Sequence, residues 1–360
     1  MPVDTRITRY SQVSTALALL SDRQLLSLAD SAQPLATGLG GTTLSFEVEG
    51  IPVFAKRIRL TDLELQTAHR QSTANLFELP AFCQSNVGSV GFGVWRELAA
   101  HTVTTQWVLS GQTAHFPMVY HWRVLPGVQS PLAGPAPVEW PDLDSQVAHW
   151  EGSDAMRQRL QALSSAQYSV LIVMEQMPWC LHDWLEEQWA AGPEAAERSC
   201  ALVEQGLLVD LPNVNALGLL HGDAHFGNIL TDGQRLYFAD LGLASHPRFD
   251  LSVEERAYLA EHASLDRAYA LSKWVKWLTQ VWGPEGSTAQ QRNELIRAVA
   301  AGRPCQQAFP SFPPSVARIV ERHALVSTLI TDFYVALHNV SRRTSYPQLE
   351  VEAALKACAV

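Results

Sequence analysis

Cysteine, basic residues and long apolar runs are all scarce in this sequence of 360 residues. The five cysteines are scattered and include no C-x-x-C pair, which favours reduced thiols and a cytoplasmic protein over a disulfide framework. The formal net charge of −10 argues against a nucleic-acid binder that works through phosphate contacts. No segment approaches the length of a membrane-spanning helix, and no signal peptide is visible before Ser21. We therefore expect neither nucleic acid nor a membrane among the partners.

The overall composition is that of an ordinary globular protein, with 47% apolar and 17% charged residues. A chain of this length can bury a full hydrophobic core. Composition and net charge indicate no particular activity. The function therefore has to be sought in the order and spacing of individual residues.

The stretch from His221 to Asn228 carries most of the chemical information. It contains Asp223, and a short predicted hairpin follows it and ends in Asp240. Two acidic residues and one amide thus stand at the ends of one hairpin. This donor set suits Mg-ATP, because one carboxylate can orient an acceptor hydroxyl while the other carboxylate and the amide hold magnesium through hard oxygen ligands.

This arrangement resembles the catalytic loop and the metal-binding loop of the protein-kinase-like superfamily. Asp223 matches the catalytic aspartate of H-x-D-x-x-x-x-N, Asn228 matches the metal-binding asparagine, and Asp240 matches the aspartate of D-F-G. Two positions depart from the pattern. Gly222 replaces the arginine of H-R-D, as in aminoglycoside and choline kinases, and Leu241 replaces the phenylalanine of D-F-G, a change common in the same branch.

A glycine-rich segment and a lysine strand precede these loops. Two strands are predicted on either side of the turn at Gly50, and the second carries Lys56. The resemblance implies that the glycine-rich segment covers the phosphates of ATP and that Lys56 grips the α- and β-phosphates. Its cofactor-binding residues are Gly38, Gly40, Gly41, Thr42 and Thr43. Phe54 departs from the family, which usually has a small residue two positions before this lysine.

Kinases hold that lysine with a glutamate on the next helix, and two glutamates are available. Glu64 follows the lysine strand closely, whereas Glu97 lies in a clear helical pattern from Val94 toward Val108. We favour Glu97, because an apolar strand from Phe116 to Tyr120 follows its helix. Residues 59 to 93 are then an insertion.

The apolar run from Tyr168 to Met177 predicts a buried strand that ends in a polar turn. It resembles the fifth strand and hinge of a kinase. The resemblance implies that the Met174 side chain packs against the adenine. It also implies that the backbone of Glu175 and Met177 forms hydrogen bonds with the edge of the adenine. His225 stands where protein Ser/Thr kinases place a phosphate-contacting lysine, which implies a contact with the γ-phosphate.

The resemblance implies an α+β, bilobal, protein-kinase-like fold, with a small antiparallel-sheet lobe and a mostly helical large lobe. We divide the chain into a helical extension (1–35), a small lobe (36–177) and a large lobe (178–360). The small lobe contains insertions at 59–93 and 126–165. The second insertion begins with a proline-rich segment, 126–141, and continues with one polar helix from about Asp144 to Leu163.

The implied reaction transfers the γ-phosphoryl group of ATP, with Mg²⁺ as cofactor, to a hydroxyl acceptor. Asp223, Lys56, Glu97 and His225 are the catalytic candidates, and Asn228 and Asp240 are the metal ligands. A protein Ser/Thr acceptor is slightly favoured by the sequence from Asp240 to Ala244. A small-molecule acceptor of the aminoglycoside or choline type is favoured by Gly222 and by the missing Ala-Pro-Glu.

Three other interpretations of the same residues stay open. The chain could be a pseudokinase that binds ATP or a partner without turnover. His221, Asp223 and His225 could be a metal-ligand cluster, although no matching Cys or His set exists elsewhere. The motif could also be an ordinary loop and hairpin in which Asp and Asn serve as turn formers.

Overall fold

The computed structural model describes residues 3–38, 41–84, 88–127 and 142–358, with side chains from 5 to 36 in the first range. The predicted Gly40 and most of the proline-rich segment, 128–141, lie outside the described residues. The α+β class is confirmed, because a five-stranded antiparallel sheet is accompanied by a majority of helix. In the part of the chain just defined, no helix is both long enough and apolar enough to cross a membrane.

The chain divides into two compact units. The first consists of Met1–Pro178, His221–Asp223 and Tyr237–Arg256, and the second of Trp179–Leu220, Ala224–Leu236 and Ala257–Val360. The first unit therefore takes two short segments from the later part of the chain, and these carry Asp223 and Asp240. The three-part division that we drew from the sequence remains a prediction.

A five-stranded antiparallel sheet forms the centre of the first unit, in the order β1-β2-β3-β5-β4. Its strands are β1 (Gln33–Gly38), β2 (Gly41–Val48), β3 (Ile51–Leu60), β4 (Val119–Pro126) and β5 (Tyr168–Glu175). Strand β3 pairs on one side with β2, where Lys56 lies opposite Thr43, and on the other with β5, where it lies opposite Ile172. The lysine strand is thus held between two neighbours.

Helices cover both faces of this sheet, because successive strand residues point to opposite sides. Leu171 and Val173 share a core with α1 (Val3–Ala18) and α2 (Asp22–Ser31). The alternate residues of the same strand, Ile172 among them, share a second core with α4 (Val94–Leu109). Both faces of β5 are therefore buried, which explains its unbroken apolar sequence.

The two predicted insertions share a small core of their own. Leu79, Cys83 and Phe92 from the first insertion pack with Trp150 and Met156 from the second. Cys83 lies in a short 3₁₀ turn (Ala81–Gln84) and Met156 lies in α6 (Asp154–Ser165). The other α-helices of the two insertions are α3 (Asp62–Leu65) and α5 (Leu143–His149).

The single polar helix that we predicted over Asp144 to Leu163 is wrong. The chain forms two helices there, because Glu151 (φ 56°) and Gly152 (φ 72°) adopt left-handed conformations that end α5. Ser153 then caps α6 by accepting a hydrogen bond from the Met156 N–H.

The second unit is mainly helical. Strands β6 (Trp179–Cys180) and β7 (Ile229–Thr231) pair antiparallel within it. Its helices are α7 (Leu181–Ala190), α8 (Pro193–Gln205), α9 (Leu211–Ala216), α11 (Leu265–Val281), α12 (Ala289–Ala300), α13 (Cys305–Ala308), α14 (Pro314–Asn339) and α15 (Gln348–Ala357). The chain passes between the units inside two further elements, β8 (Leu236–Phe238) and α10 (Val253–Glu261). Within the second unit, the buried side of α11 packs on α12 and α14.

Candidate functional site

A buried lysine lies between two carboxylates in the first unit. Lys56 Nζ donates to Glu97 Oε1 and to Asp240 Oδ1, and both distances are 2.7 Å. The side chains of Lys56 and Glu97 are 7% and 6% exposed, whereas that of Asp240 is 47% exposed. Strand β3 turns Lys56 toward α4, while the next residue, Arg57, faces the other way and contacts Asp30. The sheet thus brings together three residues that are far apart in sequence.

The charges of this cluster stabilise one another. Burial by itself lowers the pKa of Lys56, but Asp240 and Glu97 outweigh it and raise this pKa above its ordinary value. The ammonium of Lys56 holds the pKa of the Asp240 carboxyl well below its usual range. Burial raises the pKa of Glu97, against the opposing effect of Lys56. Lys56 and Asp240 are therefore charged at neutral pH.

The nearby His101 stays neutral. Burial, and then the charge of Lys56, lower the pKa of His101 to about 3. Its Nε2 lies 4.0 Å from Glu97 Oε1, so it adds no second cation to the cluster at neutral pH.

Glu64, the other glutamate considered for Lys56, is used elsewhere. Its Oε2 accepts from the backbone N–H and the hydroxyl of Thr61, and its Oε1 accepts from the Val94 N–H at the start of α4. Arg159 Nη1 lies 2.9 Å from the same carboxylate. Glu64 therefore caps two helix starts and pairs with an arginine, and the glutamate that contacts Lys56 is Glu97.

The loop from His221 to Asp223 packs against the residues on both sides of Asp240. His221 Nε2 donates to the Ala239 carbonyl at 2.8 Å, and His221 Nδ1 accepts from the Asp223 N–H at 3.3 Å. These two bonds require the neutral tautomer with its proton on Nε2. The buried imidazole thus fixes the backbone of Asp223, and the Asp223 side chain is half-buried.

Gly222 fits this loop because it has no side chain. Its φ is +79°, and a Cβ at this position would lie 2.7 Å from the Leu243 carbonyl oxygen. Gly242 is also closely surrounded, because a Cβ at this position would lie 3.2 Å from Glu97 Oε2 and 3.3 Å from Asp240 Oδ1. The arginine of H-R-D has no room at position 222, because the backbone of Leu243 stands there.

We expect Gly222→Ala to destabilise the protein more than an alanine placed at a glycine with similar φ and open surroundings. Gly111 is the matched control, because its φ is +74° and a Cβ added there would meet no atom within 4 Å. Gly111→Ala should lower the free energy of unfolding by about 1 kcal/mol, because alanine is strained in the left-handed backbone conformation. Gly222→Ala should lower it by about 1–3 kcal/mol more, because of the contact with Leu243. Urea unfolding of both variants measures the difference, and equal losses would contradict the close contact.

The predicted phosphate-covering segment is a hairpin of β1 and β2. Gly38 pairs with Gly41, and Thr43 Oγ1 contacts the backbone of Ala36. Gly41 has φ +119°, and a Cβ there would lie 2.4 Å from the Arg57 carbonyl oxygen. Thr42 is buried next to it. The two glycines and two threonines therefore lie in a hairpin joined to the lysine strand, as the register of Thr43 with Lys56 shows.

The predicted hinge begins at the end of β5. Met174 is buried and lies opposite Phe54 of β3. The N–H of Glu175 donates to the Met118 carbonyl at 2.9 Å, so this N–H is already used. Met177 is half-buried beyond the strand. Any contact of Glu175 with adenine through its backbone therefore has to use the carbonyl oxygen.

Arg6 is a residue of this region that the sequence patterns did not indicate. Its guanidinium donates to both carboxylate oxygens of Glu175, at 2.8 and 2.6 Å, and to the carbonyls of Ala114 and Phe116. It also lies 5.1 Å from the ring centre of Tyr237. Its partner is 169 residues away, so no local pattern could have revealed the pair.

We expect Arg6→Ala to cost about 3–5 kcal/mol of unfolding free energy, because it leaves the Glu175 carboxylate buried without its cation. Arg9→Ala, in the same helix, should change stability by less than about 1 kcal/mol. The double variant Arg6→Met/Glu175→Gln should lose less than the sum of the two single variants. Chemical denaturation tests all of them, and an Arg6→Ala protein as stable as Arg9→Ala would contradict the importance of the pair.

Asn228 and His225 belong to the second unit. The Asn228 N–H donates to the His225 carbonyl at 2.8 Å, and His225 Nδ1 accepts from the Gly227 N–H at 3.0 Å. These bonds form a tight turn before β7. Over the ranges that the structure describes, no group of three or more His, Cys, Asp or Glu is arranged to hold a metal ion.

Comparison with known proteins adds little. No protein-family model matches the sequence, and no curated protein matches it. Among solved structures, the chain is similar to WaaP in complex with acyl carrier protein, with a TM-score of 0.37 and 15% sequence identity, over 85% of this chain and 94% of that chain. A likeness at this level carries no argument about fold or activity.

Proposed function

We propose that this protein is a kinase of the protein-kinase-like type, which transfers the γ-phosphoryl group of Mg-ATP to a hydroxyl acceptor. The observation that carries the proposal is the position of Lys56 Nζ, 2.7 Å from both Glu97 and Asp240. Kinases use a strand lysine, a helix glutamate and a metal-binding aspartate in this combination. The sequence order of the motifs and the five-stranded sheet with α4 on one face support it.

The residues present suit a magnesium ion. Asp240 is ionised, offers hard carboxylate oxygens, and is the most exposed member of the cluster. Asn228 is the second ligand implied by the motif, through its amide oxygen. When bound, the metal neutralises phosphate charge. Asp240 would hold it, and Lys56, kept extended by Glu97, would bind the phosphates.

Asp223 is the residue we assign to the acceptor. His221 links the backbone of this residue to the carbonyl of Ala239, directly before Asp240. Its carboxylate would orient the acceptor hydroxyl and take up its proton. Met174, the Glu175 carbonyl and the backbone of Met177 would bind adenine, and the β1–β2 hairpin would cover the phosphates. Most of the rate enhancement then comes from positioning and charge neutralisation.

A small-molecule acceptor is favoured by the surroundings of Gly222. The sequence alone slightly favoured a protein acceptor. The close approach of Leu243 to Gly222 leaves no room for the phosphate-reading arginine of H-R-D kinases. The packing of this loop therefore supports the small-molecule acceptor, for which Gly222 is the sequence feature.

The assay with [γ-³²P]ATP tests both parts of the proposal. Wild-type protein is offered protein mixtures and, separately, pools of small hydroxyl compounds, with and without Mg²⁺. We expect label in a small-molecule fraction that depends on Mg²⁺. Label in protein would select the other acceptor class, and ATP binding without any transfer would select the pseudokinase.

If Asp240 is a metal ligand, replacing it should weaken nucleotide binding mainly when magnesium is present. Asp240→Ala should weaken Mg-ATP binding by about tenfold or more, and metal-free ADP binding by much less, because only the former needs the carboxylate as a ligand. The matched control is Asp250→Ala, an exposed aspartate of the same unit. Calorimetric titration of both nucleotides decides it, and equal losses with and without Mg²⁺ would count against a metal ligand.

A further inference from the structure

The second unit contains a cavity of about 250 Å³ that none of the proposed kinase residues line. It lies where α7 ends, α8 begins and α11 ends, with α14 on a further side. Trp189, Trp282, Pro193, Cys200, Val316 and Glu197 are the lining residues that matter here. The kinase reaction leaves this cavity without a role.

Two indole rings border the cavity in nearly perpendicular directions. The rings of Trp189 and Trp282 have centres 3.9 Å apart and planes at 81°. Trp189 is 37% exposed, so its ring is open to solvent. Tryptophan is the side chain that attracts cations most strongly through its ring face. Pro193 and Val316 add apolar surface of the kind that a substituted ammonium ion can contact.

The cavity also contains one acidic side chain, which suits a cationic ligand. Glu197 is its single carboxylate, and within the described part of the chain no Lys, Arg or His forms an ion pair with it. The neighbouring Arg198 turns instead to Glu194, at 4.0 Å. Cys200 adds no charge, because burial, and then Glu204 and Glu197, raise the pKa of its thiol to about 12.

We propose that this cavity binds an organic ammonium ion, with Trp189 and Trp282 contacting its alkyl groups and Glu197 compensating its charge. Two indole rings, apolar walls and one carboxylate without an ion-pair partner form a complementary set for such a cation. A neutral molecule of the same shape lacks both electrostatic contributions, and an anion is repelled by Glu197.

A row of packed aromatic rings, the aromatic row, extends from Trp282 at this cavity to the loop that contains His225. Trp282 contacts Trp277 (ring centres 6.1 Å apart), Trp277 stacks on Trp274 (5.6 Å), and Trp274 contacts Phe226 (6.0 Å). Trp274 is fully buried and Phe226 nearly so. Because these rings are packed against one another, we expect an ion that displaces Trp282 to alter the surroundings of His225.

Acetylcholine and its carbon isostere 3,3-dimethylbutyl acetate are the probes that test the site. They share a shape and differ in charge, and neither has a free hydroxyl that a kinase could phosphorylate. Calorimetric titration should show acetylcholine binding at least about fivefold more tightly than the isostere. Equal affinities, or no binding of acetylcholine, would overturn the proposal.

Matched variants locate the binding. Trp189→Leu should weaken acetylcholine binding about tenfold, Trp189→Phe less, and Glu197→Gln several-fold. Trp179→Leu and Glu194→Gln are the controls, because Trp179 is equally exposed (37%) and Glu194 lies on the same helix, yet neither lines the cavity. The controls should stay within about twofold of the wild type. Controls that weaken binding as much as the cavity variants would place the ion elsewhere.

The expected effect of the aromatic row on His225 can be tested separately, without measuring kinase activity. The ring signals of His225, assigned by comparison with His225→Gln, are followed by NMR during the acetylcholine titration. We expect them to shift with the same midpoint as binding in the wild type and to stay fixed in Trp189→Leu at the same concentrations. Saturated binding without a shift would overturn the connection between the cavity and the loop.

Discussion

Asp223→Asn should retain ATP binding and lose phosphoryl transfer by a factor on the order of a hundred or more. The substitution keeps the size of the side chain but removes its ability to accept a proton. The backbone bond from the Asp223 N–H to His221 Nδ1 is unaffected, so the loop should keep its shape. Lys56, Glu97 and Asp240 are unchanged, and nucleotide affinity should be unchanged with them.

Two measurements separate this result from a folding defect. Transfer is followed by ADP release with a saturating acceptor, and binding by titration of Mg-ATP. Asp232→Asn is the matched control, since Asp232 stands in the following turn and accepts from the Gln234 and Arg235 N–H groups. The control should keep nearly full activity. An Asp223→Asn protein with near-normal turnover would remove Asp223 from the mechanism.

The cluster around Lys56 was the most predictable part of the site. Strand alternation placed Lys56 and Arg57 on opposite faces, and the helical pattern from Val94 placed Glu97 on the helix that packs against the Lys56 face. Both signals are periodic, and periodic burial is what a sequence records most directly. The choice between Glu97 and Glu64 could not be made in full, because the capping role of Glu64 depends on Val94, thirty residues away in sequence.

Features that depend on distant contacts were missed. No sequence pattern indicated a role for the N-terminal helices, yet Arg6 of α1 pairs with Glu175 of β5. Helix α6 buries Arg159 because Glu64 pairs with it, so its polar sequence concealed a packed face. The strand expected over Phe116 to Tyr120 runs instead over β4, Val119–Pro126. Before that strand, the Phe116 carbonyl accepts from Arg6 and the Met118 N–H donates to the Glu175 carboxylate, while the Phe116 ring packs with Trp107 and Phe238.

Lys56→Met and Glu97→Gln should each reduce transfer by a factor on the order of a hundred, and the double variant should be little worse than either. The reason is the shared geometry. Glu97 serves the reaction by holding Lys56. Once the lysine is replaced, the Glu97 carboxylate has no side chain left to position. Independent residues would multiply their effects, to a factor on the order of ten thousand, which makes the two outcomes easy to distinguish.

Stability gives a second, independent measure of the same cluster. Lys56→Met leaves the buried Glu97 carboxylate with no cation at 2.7 Å, so it should destabilise the protein by about 3–5 kcal/mol. Adding Glu97→Gln to it should restore part of that loss, because the uncompensated buried charge is then gone. Glu64→Gln is the control, since its carboxylate serves Thr61, Val94 and Arg159. Its effects on transfer and on stability should add to those of Lys56→Met, and coupling of Lys56 to Glu64 in place of Glu97 would contradict the site described here.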